Sequence, residues 1–412
     1  MRSVTFAGIC VVEALERLAF YAFLAFFTLY LTQSHGLSPA ESTSLFGALM
    51  FGIYTLPLLS GWLIDRFVGT RRAVLAGSGL LTLGYLLLVD SHRLRLSLPL
   101  LLICLGSGLF RPSMLSLVAS RSPRNGPRSE SDFVWFVIAL NLGAGISPLI
   151  AELTNAGYGI SAVFLICSVS TALATLLTLA VIRSLGPAAA PSRGDSTDSQ
   201  PINWRLLVPV FTSIALCELG LTQRGLLATL WGHGRVDHTF GGLISAQLGK
   251  LLLGPSSGSM YMLLLAPLVL TLLAILRRQG VVLTTPRKVI AAMALGLLAC
   301  LTLVYVSATA TDGAEVGFGW LLVGQLLAAV PGFLLYPWTL SLFARLIPVR
   351  RFATLLGLWI TLKGLLNFLT GHSASLAMRL APSAQFVIPT LLVLSGVCLW
   401  LVQLRKLERA VQ

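Results

Sequence analysis

Long apolar stretches separated by short polar segments run through the whole sequence. Each is able to supply the roughly 20 residues that a helix needs to cross a hydrocarbon core about 30 Å thick. An open strand would leave its backbone groups unpaired in lipid, so we expect these stretches to be helices. The pattern predicts an all-α integral membrane protein of about 12 transmembrane helices, at residues 4–31, 43–64, 72–90, 96–120, 133–153, 159–183, 205–230, 259–277, 288–308, 316–346, 352–372 and 385–404.

The composition supports lipid as the solvent for much of the chain. Of 412 residues, 56% are hydrophobic and 11% are charged, whereas a soluble domain carries roughly 25% charged residues. All six cysteines fall in predicted spans without metal-ligand spacing, which favours small buried residues over ligands. We expect no metal site and no cofactor.

Two polar segments organise the predicted spans. Residues 184–204 are rich in Pro, Ser and Asp, as in a flexible linker, and they separate an N-terminal six-helix half (1–183) from a C-terminal one (205–412). The glycine-rich residues 232–258 are interpreted as an outer loop with a short amphipathic piece. Two six-helix halves are typical of secondary transporters, which bind substrate near the midplane between their repeats.

The strongly basic balance, a net charge of +14, is explained by topology. With the N-terminus in the cytoplasm, the inner loops and tails hold twenty Lys and Arg residues and the outer loops hold five. This asymmetry predicts cytoplasmic N- and C-termini and contacts with anionic membrane lipid. No nucleic-acid partner is expected, because no basic stretch is interleaved with aromatic residues. Compact loops and short termini suggest a bacterial plasma (inner) membrane.

Charged residues inside the predicted spans carry most of the functional information. A charge at the bilayer centre costs at least about 2.5–3.5 kcal/mol, so it seldom persists without a role or a partner. Three carboxylates face four cations here, and static pairing is the alternative to a functional role. The residues are Glu13, Glu16 and Arg17 in span one, Arg111 in span four, Glu218 and Arg224 in span seven, and Lys363 in span eleven.

The spacing of Glu13, Glu16 and Arg17 places all three on one helix face. A carboxylate beside an arginine stays ionised, whereas a carboxyl surrounded only by apolar groups prefers to be protonated. A glutamate between those two environments is able to take up and release a proton. No histidine lies in the middle of a predicted span, so we expect any proton relay to use glutamate.

Several motifs resemble the proton-dependent oligopeptide transporter family, a branch of the major facilitator superfamily. EALERLAFYAF resembles the ExxERFxYYG signature of that family in span one. FGIYTLPLLSGWLIDRFVGTRR, GSGLFRPSMLSLVAS and FVWFVIALNLGAGISPLI are similar to its spans two, four and five, while the second half is looser. The resemblance implies a major facilitator fold and proton-coupled symport of a small peptide-like or other organic solute by alternating access.

The resemblance also implies residue roles at matching positions. Proton coupling is implied for Glu13, Glu16, Arg17, Arg111 and Glu218, with Arg111 in place of the usual lysine. Substrate binding is implied for Tyr21, Arg111, Asn141 and Glu218, with Lys363 added as a candidate cation. The inner-loop motif at Asp65, Arg66, Arg71 and Arg72 implies a latch that holds one gate state.

The sequence departs from the family pattern at positions that the family uses to bind substrate. Leu24 replaces the arginine of span one, and Gly332 lies near the place of a glutamate that receives a peptide amino terminus. Both ends of the clamp for a zwitterionic peptide are therefore missing, and ordinary di- and tripeptide uptake is not expected. Arg224 or Lys363 are the candidates to replace the lost cation.

Two other function classes stay open at the level of sequence. One is an anion carrier without proton coupling, or an exporter, which the missing clamp favours. The other is a transporter-fold subunit or receptor that works with a partner protein and moves no solute. An enzyme is not expected, because no nucleophile–base set or phosphate loop lies outside the predicted spans.

Overall fold

The structure is a computed structural model of the full chain. It describes residues 2–90, 96–121, 127–185, 202–232, 257–281, 283–309, 318–377 and 379–411. Most of the predicted linker at 184–204 and nearly all of the predicted loop at 232–258 lie outside these residues.

The described residues form twelve helices of 20 residues or more. A π-helical turn, Ile64–Val68, follows α2, while a 3-10 turn at Val349–Arg351 precedes α11 and a short helix at Pro382–Gln385 precedes α12. The long helices are α1 Arg2–His35, α2 Pro39–Leu63, α3 Thr70–Val89, α4 Ser97–Arg121, α5 Pro127–Tyr158, α6 Ile160–Ser184, α7 Trp204–Gly232, α8 Ser257–Arg278, α9 Thr285–Thr309, α10 Phe318–Leu346, α11 Phe352–Ala377 and α12 Val387–Val411.

The predicted all-α membrane architecture is confirmed. Eleven of these helices are long and apolar enough to cross a membrane; α1, whose middle carries three charged residues, is not one of them. Each predicted span coincides with one helix, and most observed helices extend a few residues beyond the apolar stretch. Capping explains one such extension: Ser38 and Glu41 form a capping box at the start of α2, which satisfies backbone N–H groups before the apolar run begins.

The chain divides into two compact units. The first comprises Met1–Pro201 together with Ile347–Gly364, and the second comprises Ile202–Leu346 together with Leu365–Gln412. The N-terminal part of α11 therefore groups with α1 to α6, although the linker alone would assign it to the C-terminal half. The predicted division of the chain at residues 184–204 stays a prediction.

In the first unit, α1 packs against α5 and α6, α3 packs against α4 and α6, and α2 packs against α4. Aromatic residues fill the centre of this packing, including Phe23 and Tyr85, whose ring centroids lie 5.4 Å apart. The Tyr30 hydroxyl donates a hydrogen bond to the Leu88 carbonyl at 2.8 Å, which links α1 to α3.

In the second unit, α7 packs on α12, and α9 packs on α10 and α12. Buried polar side chains join these helices through backbone carbonyls. Ser213 donates to Gly396 at 2.6 Å, and the indole N–H of Trp400 donates to Pro286 at 3.0 Å. Such bonds between helices are worth about 0.6 kcal/mol on average in a membrane protein.

Candidate functional site

Side chains from α5 and α6 hold the charged segment of α1 in place. The Ser170 hydroxyl donates to the Leu15 carbonyl at 2.8 Å, and the Ser147 hydroxyl donates to the Leu18 carbonyl at 2.7 Å. The Cys167 thiol donates to the Ala19 carbonyl at 3.2 Å. These carbonyls lie within one and a half turns of α1, between and just beyond the charged residues. The hydrogen bonds therefore fix both the depth and the rotation of this segment.

Gly143 on α5 allows this close approach. A Cβ atom at residue 143 would overlap the Ala14 carbonyl oxygen and would come 3.0 Å from Arg17 Cβ. Only a glycine leaves room for α1 at this depth, as in other small-residue contacts between membrane helices. Helix α5 thus packs directly against α1 at Arg17, the cation of this charged segment.

Glu13, Glu16 and Arg17 form a buried cluster of three charges. Arg17 Nε lies 3.1 Å from Glu13 Oε1, and the guanidinium also forms an ion pair with the Glu16 carboxylate. All three residues are at most 5% exposed. With both carboxylates ionised, this cluster carries a net charge of −1, and one bound proton makes it neutral. The cluster is therefore able to bind a proton in surroundings that disfavour an uncompensated charge.

The Phe20 ring lies beside two guanidinium groups. Arg111 Cζ is 4.3 Å from the ring centroid, and Arg17 Cζ is 5.3 Å from it. Arg111 also lies 5.8 Å from the Tyr54 ring centroid. Cation–π contacts of this kind hold a cation without neutralising its charge. In the part of the chain that the structure describes, Arg111 forms no ion pair with a carboxylate, and its Nε and Nη2 atoms are buried without a hydrogen-bond acceptor.

The remaining predicted substrate residues of the first unit differ in their environments. Tyr21 is 38% exposed and meets Phe20 edge-to-face. Asn141 is buried, and its amide nitrogen donates to the Val137 carbonyl of its own helix at 2.8 Å. Lys363 is half-buried and precedes Gly364, where a Cβ atom would overlap the Tyr54 side chain.

The predicted gate residue Asp65 caps helix α11. Its carboxylate accepts hydrogen bonds from the backbone N–H groups of Ala353 at 3.3 Å and Thr354 at 2.7 Å, and from the Thr354 hydroxyl at 2.6 Å. A carboxylate at a helix N-terminus satisfies unpaired donors and favourably meets the helix dipole. Asp65 lies in the π-helical turn Ile64–Val68, which is followed by Gly69 with a φ of 76°.

The basic residues of the gate motif differ in environment. Arg66 is exposed and lies 5.7 Å from the Phe67 ring centroid. Arg71 is half-buried, and Arg72 is exposed. Close packing reinforces the Asp65 contact, since a Cβ atom at Gly357 of α11 would overlap the Pro57 carbonyl of α2.

The second unit contains Glu218 and the substituted clamp position. Glu218 is half-buried on α7. A Cβ atom at Gly332 would come 2.5 Å from the terminal methyl group of Met262. An apolar group of Met262 therefore lies beside Gly332, the residue that the sequence predicts to lie near the acidic position of the family pattern.

Several residues of the site were not identified from the sequence. The hydrogen bonds from Ser147, Cys167 and Ser170 left no signal, because small polar residues are common in membrane helices. The position of Phe20 had a weak signal: an aromatic residue three positions after Arg17 lies on the same face of a helix. Thr354, which binds Asp65 from a helix far along the chain, had none.

Comparison with known proteins identifies the family. The profile of the Major Facilitator Superfamily matches residues 9–371 of the chain. The protein belongs to this superfamily. It is a transporter and not an enzyme, as the sequence predicts.

The relatives lie within the branch that the span-one motif indicates, so the predicted resemblance is confirmed. The chain is 25% identical to dipeptide and tripeptide permease A of Salmonella typhimurium, over 89% of this chain and 82% of that protein. It is 29% identical to the permease of the same name from Escherichia coli, over 50% of this chain and 41% of that one.

Solved structures of POT family transporters have a similar fold. A POT family transporter in complex with 5-aminolevulinic acid has a TM-score of 0.67 at 19% identity, covering 98% of this chain and 96% of that one. A peptide transporter POT in complex with sulfate has a TM-score of 0.65 at 18% identity, covering 98% and 94%. At this level of identity the likeness concerns the fold.

Proposed function

We propose that the protein is a proton-coupled symporter of small organic solutes that carry a carboxylate, whether peptide-like or not. The observation that carries this proposal is the division of roles between two neighbouring arginines. Arg17 forms ion pairs with both Glu13 and Glu16, whereas Arg111 lies over the Phe20 ring and has no carboxylate partner among the described residues. The first group supplies a proton site, and the second supplies a cation for a substrate.

The two sites are coupled by electrostatics. Arg17, Glu16 and Arg111 all lie close enough to act on the charge of Glu13. When a proton binds Glu13 or Glu16, one negative charge disappears from the surroundings of Arg111. The attraction between Arg111 and a substrate carboxylate then increases. By linkage, a bound carboxylate must strengthen proton binding by the same factor, so proton and solute load together.

The preference for a carboxylate over a full zwitterion follows from the second unit. Gly332 supplies no acid for an ammonium group, and Met262 fills the adjacent space. Discrimination for a charged end of a substrate needs a buried group of opposite charge. The relatives named as dipeptide and tripeptide permeases support a peptide-like solute, and the complex of a similar fold with 5-aminolevulinic acid supports a small solute with a carboxylate.

The orientation of the chain in the membrane and the identity of that membrane belong to the same proposal. The excess of basic residues on alternate loops favours cytoplasmic N- and C-termini, and the bacterial permeases among the relatives support a bacterial plasma membrane. The Asp65 cap on α11 lies on the inner side in this orientation. Its release and re-formation then accompany the change of access, with Arg66, Arg71 and Arg72 as its basic neighbours.

Transport in proteoliposomes tests the proposal. Purified protein is reconstituted with an imposed pH gradient and an inside-negative potential, and internal pH is followed while dipeptides, tripeptides, amino acids and organic anions are added. Solutes with a carboxylate are expected to acidify the lumen, and Glu16→Gln is expected to abolish the signal. Glu408→Gln serves as the control, since Glu408 pairs with Arg287 in the second unit. Equal acidification by Glu16→Gln would contradict proton coupling through this cluster.

A second candidate is an anion carrier without proton coupling. It is favoured by the same Arg111, which forms no ion pair with a carboxylate among the described residues, because such a cation is able to bind an anion whether or not a proton is present. In this case, uptake of an organic anion would persist after an ionophore collapses the pH gradient, and Glu16→Gln would leave it unchanged.

A further inference from the structure

A second arginine, Arg224, lies deep inside the second unit. It sits in the middle of α7 and is only 1% exposed. One turn further along α7, Leu227 and Ala228 belong to an apolar cluster that also contains Leu303 and Leu321. A guanidinium group in such surroundings is costly unless its charge and its donors are satisfied.

The hydrogen bonds of Arg224 leave part of the guanidinium group unsatisfied. Nε donates to the Ala299 carbonyl of α9 at 3.2 Å, and Nη1 donates to the Gln325 side-chain oxygen of α10 at 3.3 Å. Nη2 is buried and has no hydrogen-bond acceptor in the described part of the chain. Both partners are neutral, so the hydrogen bonds orient the guanidinium without compensating its charge.

No carboxylate compensates Arg224 within the described part of the second unit. The acidic residues there are Glu218 and Glu408. Glu218 lies six positions earlier on α7, which corresponds to a distance of about 9 Å along the axis and a different face. Glu408 forms its ion pair with Arg287 at 2.5 Å. Among the described residues, the positive charge of Arg224 thus has no counter-charge.

Two residues, Gln223 and Gly324, define the surroundings of the Arg224 guanidinium group further. Gln223 is 0% exposed, and neither its amide nitrogen nor its amide oxygen has a hydrogen-bond partner among the residues that the structure describes. Gly324 adjoins the unsatisfied edge of Arg224, since a Cβ atom at residue 324 would lie 2.9 Å from Nη2. Any larger residue at 324 would crowd that edge.

From this geometry we infer that the Nη2 edge of Arg224 binds a small monovalent anion inside the second unit. The charge of Arg224 selects an anion, and the deep burial and close packing restrict its size to that of a halide or a single carboxylate group. The anion is either a dissolved ion or the carboxyl end of a transported solute. This site is separate from the Arg111 cluster of the first unit, and its test needs no transport.

The test compares thermal unfolding of the purified full chain in different anions. Tryptophan fluorescence is followed in chloride, in formate and in gluconate, which is too large to enter, at equal ionic strength and with sodium throughout. Chloride or formate is expected to raise Tm relative to gluconate, and the rise is expected to saturate with concentration, because binding to the folded state alone stabilises it.

Variants test whether the anion-dependent rise in Tm depends on Arg224. Arg224→Gln is expected to remove the anion-dependent rise, whereas Arg287→Gln, which removes a half-exposed arginine of the same unit, is expected to keep it. If Arg224→Gln does not fold, Gly324→Ala retains the charge but crowds Nη2, and the saturating concentration is expected to increase at least several-fold.

The outcomes separate the two sources of the anion. A higher Tm in chloride identifies a dissolved ion as the ligand. A higher Tm only in formate, or only when a carboxylate solute is added to the gluconate buffer, identifies a carboxyl group. Equal Tm values in every condition overturn the inference. A rise that is unchanged in both Arg224→Gln and Gly324→Ala also overturns it.

Discussion

Arg111 lies over the face of Phe20, with its guanidinium carbon 4.3 Å from the ring centroid. Arg17 approaches the same ring at 5.3 Å, so one aromatic residue stands between a cation engaged by two carboxylates and a cation without an ion-pair partner in the described residues. The ring holds Arg111 near the proton site while leaving its charge available. Phe20 is therefore a positioning residue in our account.

Replacing Phe20 by leucine tests this role. The Phe20→Leu variant loses a cation–π contact worth about 0.5–2 kcal/mol, which predicts a KM for the anionic solute roughly 2- to 30-fold higher. Phe20→Tyr keeps the aromatic face and is expected to retain the native KM. The measurement is solute uptake into proteoliposomes at fixed pH. Equal KM values for the leucine and tyrosine variants would exclude the role of the ring.

The cap formed by Asp65 is expected to govern the opening of the first turn of α11. Asp65→Asn removes the charge and weakens hydrogen bonds to Ala353 and Thr354, which costs about 0.5–2 kcal/mol by analogy with helix caps. Hydrogen–deuterium exchange should accelerate at residues 353–354. Glu41→Gln weakens another cap in the same unit and should affect only residues 38–41. Unchanged exchange at 353–354 in Asp65→Asn would contradict the cap.

The hydrogen bonds from α5 and α6 to α1 are expected to stabilise the first unit. The Ser147→Ala, Ser170→Ala double variant loses two bonds between helices, each worth about 0.6 kcal/mol on average. Ser113→Ala is the control, because the Ser113 hydroxyl donates to two carbonyls of its own helix, those of Leu109 and Phe110, and to no other helix among the described residues. Denaturant unfolding in mild detergent should show a lower free energy of unfolding for the double variant alone. Equal values for both variants would refute this contribution.

The close contact at Gly143 gives a matched pair of variants on one helix. Gly143→Ala introduces a methyl group that overlaps the Ala14 carbonyl, whereas Gly157→Ala introduces one into open space. We expect Gly143→Ala to lower both Tm and uptake. Gly157→Ala is expected to leave uptake unchanged, and helix propensity alone would stabilise it by about 0.5–1 kcal/mol. A Gly143→Ala variant with native Tm would show that α1 does not approach α5 this closely.

The sequence predicts the helices well because lipid imposes a simple rule. Twenty apolar residues must form a helix, and this rule locates even α8, which lies at Ser257–Arg278 against a prediction of 259–277. Helix ends are less predictable, because capping and polar tails decide them. The segment Thr32–His35 continues α1 beyond the predicted end although its residues are polar.

The candidate site is predictable only where its residues lie close in sequence. Helix spacing alone places Glu13, Glu16 and Arg17 on one face, and their ion pairs follow. The partners of Arg111 and Asp65 depend on packing between distant segments. Tyr54 and Thr354 occupy their places because of tertiary contacts that no local pattern encodes, and helix spacing indicates only the face on which Phe20 lies.

The central claim, that Glu16 couples solute movement to protons, is tested most directly by comparing exchange with accumulation. Proteoliposomes that contain unlabelled solute are given labelled solute outside, first without a pH gradient and then with one. Glu16→Gln is predicted to exchange solute at a rate similar to the native chain and to lose gradient-driven accumulation, with Glu408→Gln retaining both. Accumulation by Glu16→Gln to the native level would contradict the account.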